Sequence, residues 1–366
     1  MDANRIAQRF PLVARPRPAC PPLSERVKEI STLAETAHQK GGLSQAATAM
    51  NKSALIASDC GLPNLARELC WRHAEIYLRA QPLGAQEARY ALEPLVNLAR
   101  LHIRDGEGEH AYRLLDTLNR AVKSKTNLLF EDHLVSFRNL TATAEDHRTV
   151  CQWLWTVLLG DGTRALVAAK QWDRARAHAV QHKGIGRRLF DGRQVEIVTR
   201  CLGGDPTSAR RIIDESTLTE AWEHPVAACL TVLCLMVGGG VPESAGEKMA
   251  AEFLSHDAGS ELAVFRARVG LTVLDLSPYS SQAGVARRLV NDAVRFGDGY
   301  VARDVLSHAA CSAEMTAGEQ RRLTEAVGSA GLGCGAMPHK LERDLLDAVE
   351  VSTTAVMQHL VGRHSS

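Results

Sequence analysis

Aromatic side chains are scarce in this chain: phenylalanine, tyrosine and tryptophan together make up 5 % of its 366 residues. Strands favour aromatic and β-branched residues, so this poverty speaks against a large sheet protein. Net charge is also nearly absent, with 43 basic against 42 acidic side chains and a formal charge of +1. No global field therefore steers the chain toward nucleic-acid phosphates or anionic lipid. Long apolar runs are missing. The opening MDANRIAQRFPLVARPRPACPPL has no stretch long enough for secretion, and AACLTVLCLMV, residues 227 to 237, is too short for a bilayer. None of the nine cysteines forms a CxxC pair, and several lie inside apolar stretches such as CLTVLC, residues 229 to 234. They read as small buried hydrophobes in a reducing compartment, which points to a cytoplasmic protein without a membrane partner.

Catalytic signatures are missing as well. LLGDGTRAL and KGIGRRLFDG hold glycines, yet neither supplies GxxxxGK[ST] or a GxGxxG after a strand, and no GxSxG elbow occurs. No cofactor and no catalytic residue is implied. His178 and His182 in HAVQH stand one helical turn apart, but the carboxylate of an HExxH motif is absent, and a solvated helix face accounts for them. Asp146, His147 and Cys151 in AEDHRTVCQW would activate a thiol only if Asp146 oriented His147. A helix-start carboxylate followed by polar surface residues is the simpler reading.

What the chain has is helix-forming sequence. It is 45 % apolar and 23 % charged, a globular balance, and its body is rich in alanine, leucine, arginine and glutamate. In LEPLVNLARLHI, residues 92 to 103, Leu92, Leu95, Val96, Ala99 and Ile103 share one helical face. Leu114, Leu115, Leu118 and Val122 continue the period after the polar break RDGEGEHA, so the two helices form an antiparallel hairpin. Four such hairpins can be laid side by side. Each has an alanine early in its second helix, at Ala66, Ala111, Ala175 and Ala209. Twelve residues before these stand Ala54, Ala99, Thr163 and Ile197, and five before them stand Gly61, Gly106, Lys170 and Gly204. Small residues at that spacing permit close approach of two helix axes.

These segments resemble the tetratricopeptide-repeat family over about residues 40 to 216, and LVNLARLHIRDGEGEHAYRLLDTL and RALVAAKQWDRARAHAV carry the likeness best. The expected fold is all-α: a flexible segment over 1–22, an antiparallel helix-hairpin solenoid over 23–216 and a less regular helical region over 217–366 packed on the repeats. In this last region MPHKLERDLLDAVEVSTTAVMQHL forms a long closing helix that covers the last apolar face. An irregular helical bundle is the alternative. The resemblance implies a protein or peptide partner held in a concave groove lined by the first helix of each hairpin. Transferred to this register, it names Glu93, Arg100, Arg104, Arg164, Asp191 and Gln194 as groove residues, the arginines clamping carboxylates and Gln194 bonding peptide backbone.

Two other readings stay open. LSQAATAMNKSALIASDCGLP, residues 43 to 63, has the outline of a degenerate helix-turn-helix, although SALIASD offers no arginine, glutamine or asparagine to read bases. The basic neighbourhood of Arg187, Arg188, Arg193, Arg210 and Arg211 is interrupted by Asp191, Glu196 and Asp214. A nucleic-acid partner is therefore disfavoured. A small-molecule sensor or enzyme with a cavity enclosed by helices would use Trp153, Trp155, Trp172 and Trp222 as aromatic walls.

Overall fold

Helix follows helix along almost the whole chain. In a computed structural model, residues 3–255, 257, 259–277 and 282–363 are described. The helices are α1 (Ala3–Ala7), α2 (Leu23–Lys40), α3 (Leu43–Asp59), α4 (Pro63–Leu78), α5 (Ala85–Arg104) and α6 (Gly108–Ser124), followed by a two-stranded hairpin of β1 (Asn127–Phe130) and β2 (His133–Ser136). Next come α7 (Ala144–Val157), a π turn at Leu158–Gly162, α8 (Thr163–Ala168), α9 (Trp172–Gln181), α10 (Asp191–Leu202), α11 (Pro206–Asp214) and α12 (Glu223–Val237). The remainder is α13 (Glu243–Ser255), a short 3-10 turn, α14 (Ala263–Leu276), α15 (Gln282–Phe296), α16 (Gly299–Leu306), α17 (Ala309–Ala313), α18 (Ala317–Ser329) and α19 (His339–Arg363). The fold is predominantly helical, as the composition requires. None of the described helices is long and apolar enough to cross a membrane.

The chain divides into two units that interleave in sequence: unit 1 holds Met1–Pro21 and Leu166–Ala330, and unit 2 holds Pro22–Ala165 and Gly331–Ser366. In unit 2, α2 packs on α3, α3 on α4, α4 on α5 and α5 on α6. Its core includes Tyr77, Leu92, Leu95, Leu98, Leu118 and Phe130, all buried. Each of these leucines and the phenylalanine contributes roughly 1.5–3 kcal/mol when fully removed from water. The closing helix α19 returns to α2, α3 and α4, at the start of this unit, rather than covering the end of a stack. Its face is set by Leu345, Val349 and Val356, spaced for one helical stripe and buried against that core.

In unit 1, α10 packs between α9 and α11, α12 follows on α11, and α14 lies against α12, α15 and α16. The core is built on Val226, Leu230, Leu233, Phe253, Leu274 and Leu289. The opening segment, expected to be loose, is packed here: Ile6, Ala7, Phe10 and Leu12 are buried. After α1 its prolines prevent helix but leave extended chain, whose polar groups are met by side chains of this unit. Leu12 N–H donates to Gln194 Oε1 at 2.7 Å, and Cys20 N–H donates to Asp298 Oδ2 at 2.8 Å.

The four hairpin turns share one geometry. Gly61, Gly106, Lys170 and Gly204 have φ of 77°, 82°, 59° and 87°, all left-handed. In each, the next residue's N–H closes the preceding helix: Leu62 to Ala57, Glu107 to His102, Gln171 to Leu166 and Asp205 to Arg200, at 2.8–3.0 Å. This is the six-to-one closure of a helix end, for which glycine is the least strained residue. Ala66, Ala111, Ala175 and Ala209 are all fully buried, and so are their earlier counterparts Ala99, Thr163 and Ile197. The hairpins therefore recur as local units within an all-α protein. The proposed helix-turn-helix does not form: α3 runs unbroken from Leu43 to Asp59, and Ser53 in its NKS stretch donates its hydroxyl to the Ala49 carbonyl instead of opening a turn.

Candidate metal centre

The α5–α6 hairpin and the β-hairpin of unit 2 bring together a set of donors. His102 stands four residues before Gly106 and His110 four residues after it, so the turn places the two imidazoles opposite one another. Their rings meet edge to face with centroids 4.3 Å apart. The β-hairpin supplies the third group from its two-residue tip, Glu131–Asp132, closed by the Phe130–His133 pair. Both tip residues are left-handed, with φ of 44° and 65°. A tip of this kind favours Asn-Gly, so glutamate and aspartate here are strained by roughly 1–3 kcal/mol each and persist only where the surroundings hold them. Those surroundings are explicit. His133 stacks on Trp71 of α4 with centroids 3.8 Å apart, and its Nδ1–H donates to the Glu131 carbonyl at 2.8 Å.

Ligand atoms of His102, His110 and Glu131 all lie within 4.8 Å of one another. Buried His102 is held at both nitrogens, with Nε2 2.6 Å from Glu131 Oε1 and Nδ1 2.5 Å from Glu107 Oε2. Glu107, on the turn, is held below the usual carboxylate range by its hydrogen bond to His102, by the charge of that ring and by His110 and Arg67. Partial burial, His102 and Arg113 push the His110 pKa down. Two imidazoles and a carboxylate would fit a tetrahedral ion at ~2.0–2.1 Å bonds, for which neighbouring ligand atoms stand about 3.3 Å apart. The His102–Glu131 contact must widen slightly and the longest separation must close. Glu107 on Nδ1 would be the outer carboxylate orienting His102 through its other nitrogen if an ion were bound.

The six groove residues lie elsewhere and are engaged within the chain. Arg100 Nη2 and Arg164 Nη1 both reach buried Asp161 on the π turn, at 2.7 and 3.0 Å. Arg104 Nη1 donates to Asp59 Oδ1 at 3.0 Å and Ser58 Oγ at 2.9 Å. Glu93 accepts from Asn51 and Arg89, both at 3.1 Å. In unit 1, Asp191 pairs with Arg15. Gln194 does bond peptide backbone, but the chain's own: it also donates to the Leu12 carbonyl at 2.7 Å.

The other sequence candidates form no comparable centre. The His178 and His182 rings lie 4.5 Å apart but belong to no cluster of three donors among the described residues. His147 Nε2 lies 3.5 Å from Cys151 Sγ, yet burial raises that thiol's pKa and so opposes the reactive thiolate. Asp146 accepts from Ala85 N–H at 2.9 Å and from the Thr143 hydroxyl at 2.6 Å. Arg188 is taken up by Glu220 and Glu223, and Arg193 by Ser216 and two backbone carbonyls. Trp222 is core, tilted against Phe190 and edge-on to Phe265, while Trp155 is 38 % exposed.

His102, His110 and Glu131 were not singled out by sequence reasoning. The signal for the histidines was their symmetric placement about Gly106; nothing local announced that Glu131 would join them. The sequence matches no family model, no curated protein and no solved structure.

Proposed function

We propose that this chain is a ligand-binding helical protein of the sensor kind, and that its ligand is a divalent transition-metal ion at His102, His110 and Glu131. The observation that supports this most is the convergence of three ligand atoms from α5, α6 and the β-hairpin tip within 4.8 Å. The donor set suits zinc, cobalt, nickel or copper rather than magnesium or calcium, which prefer oxygen alone. Three protein ligands leave one tetrahedral position for water or a small anion. A bound ion would tie the strained hairpin tip to the helical hairpin. Leu129 and Leu134, paired across the strands and 66 % and 75 % exposed, would carry that change to the surface. The peptide-scaffold reading draws on the four equal turns; we place it second because its groove residues already have partners in this chain.

The test is titration of the chelator-stripped protein with Co²⁺, read by visible absorption. We expect saturation at one ion per chain, with His110→Ala weakening binding about a hundredfold and Glu107→Gln by about 10–100-fold. The absence of saturable binding, or parental affinity in a His110→Ala/Glu131→Gln double variant, would contradict the proposal.

A further inference from the structure

Cys60 and Cys334 are far apart in sequence but meet within unit 2. Cys60 closes α3 and is fully buried, whereas Cys334 is exposed on the loop leading into α19. That loop, GLGCG at 331 to 335, carries left-handed glycines at Gly331, Gly333 and Gly335, with φ of 70°, 68° and 71°. The alternation turns successive amides toward the end of α3. Gly333 N–H donates to the Asp59 carbonyl at 2.7 Å, and Gly335 N–H to the Cys60 carbonyl at 2.8 Å. Adjacent backbones at hydrogen-bonding distance are on the scale that a disulfide spans, ~4.4–6.8 Å between α-carbons. Both sulfurs also flank one point: a Cβ on Gly331 would stand 3.3 Å from Cys60 Sγ and 3.8 Å from Cys334 Sγ. Glycine at 331 leaves the space between them clear. Both are free thiols in this structure.

We propose that Cys334 and Cys60 form a peroxide-responsive thiol pair whose oxidation fastens the loop before α19 to the end of α3. Cys334, the accessible member, attacks a peroxide oxygen; the O–O bond breaks, giving a sulfenic acid on Cys334 and one water. The Cys60 sulfur then attacks the Cys334 sulfur. The S–S bond forms, the S–O bond breaks, and the departing hydroxide takes the Cys60 proton as a second water. One peroxide is reduced by two electrons and two thiols become one disulfide. Burial and the neighbouring Cys334 push the Cys60 pKa up to about 12, which keeps Cys60 protonated and assigns the first step to Cys334. Cys201 and Cys234 also neighbour each other, but both are buried and present no thiol to the oxidant.

The test exposes the full chain to hydrogen peroxide, alkylates the remaining thiols and maps them by mass spectrometry. The expected result is a linked Cys60–Cys334 peptide with two alkylation sites lost. Cys334→Ser, a surface change that leaves the core intact, should slow thiol loss on the order of tenfold. Cys60→Ser should leave a sulfenic acid on Cys334 that dimedone captures. In the oxidised parent, hydrogen exchange over 331–345 should slow. Overoxidation of Cys334 without a link to Cys60, linkage of Cys201 to Cys234 instead, or no thiol loss would each overturn the proposal.

Discussion

Acid should loosen unit 2 through a single histidine. His73 lies on α4 at 1 % exposure, and neither ring nitrogen has a hydrogen-bond partner among the described residues. Burial lowers its pKa from 6.5 to about 3. Between those values the unfolded chain binds a proton that the folded chain excludes. The stability contributed by neutral His73 is therefore complete above pH 6.5 and is lost as pH falls toward about 3. At ~1.36 kcal/mol per pH unit across that window, a drop from pH 8 to ~4.5 removes about 3 kcal/mol, a large share of the ~5–15 kcal/mol of an ordinary domain. His73→Leu keeps similar volume and removes both the ionisable ring and its unpaired nitrogens. The variant should lose that part of the acid slope and gain about 1 kcal/mol or more at pH 8. Hydrogen exchange over α4 and α5, corrected for intrinsic rates at each pH, measures both. If the two proteins lose equal protection between pH 8 and ~4.5, the assignment of the acid sensitivity to His73 is wrong.

Ala99→Leu should cost ~1–3 kcal/mol by overpacking, since Ala99 and Ala111 are fully buried, whereas Arg113→Ala on the exposed side should cost less than ~0.5 kcal/mol; denaturant unfolding compares them. Lys170 adopts a left-handed φ of 59° where the other three turns use glycine, so Lys170→Gly should stabilise by about 1 kcal/mol and a lower thermal midpoint would contradict the turn assignment. Asp161→Ala should destabilise unit 2 by about 1–2 kcal/mol, because it removes the carboxylate that Arg100 and Arg164 share; both arginines are partly exposed, which keeps the loss below that of a buried pair, and parental unfolding would show that water replaces the carboxylate.

The hairpins were legible because their determinants are local. A glycine five residues before an alanine, and a small residue twelve before it, fix a turn and a seam within one short segment; even Lys170 obeys the geometry, without the residue type. The return of α19 to α2 was not legible, since an apolar stripe declares that a helix is covered but not by what. Nor was the docked opening segment, whose prolines forbid helix beyond α1 while the polar groups of Gln194 and Asp298 that hold it lie far along the chain. The groove residues failed to stand out as paired because Asp161 and Asp59, which engage three of the arginines, approach from other elements. The candidate centre divides along the same line: His102 and His110 are related through one local turn, while Glu131 joins them only once β1 and β2 have paired.

Whether His102, His110 and Glu131 together hold one ion is decided by anomalous diffraction from crystals soaked in zinc, recorded on both sides of the zinc absorption edge. A single strong peak is expected about 2.0–2.2 Å from ring nitrogens of His102 and His110 and from a Glu131 carboxylate oxygen, with Glu107 still bonded to His102 Nδ1. No peak there, or a peak held by other residues while His102 stays bridged between Glu107 and Glu131, would contradict it.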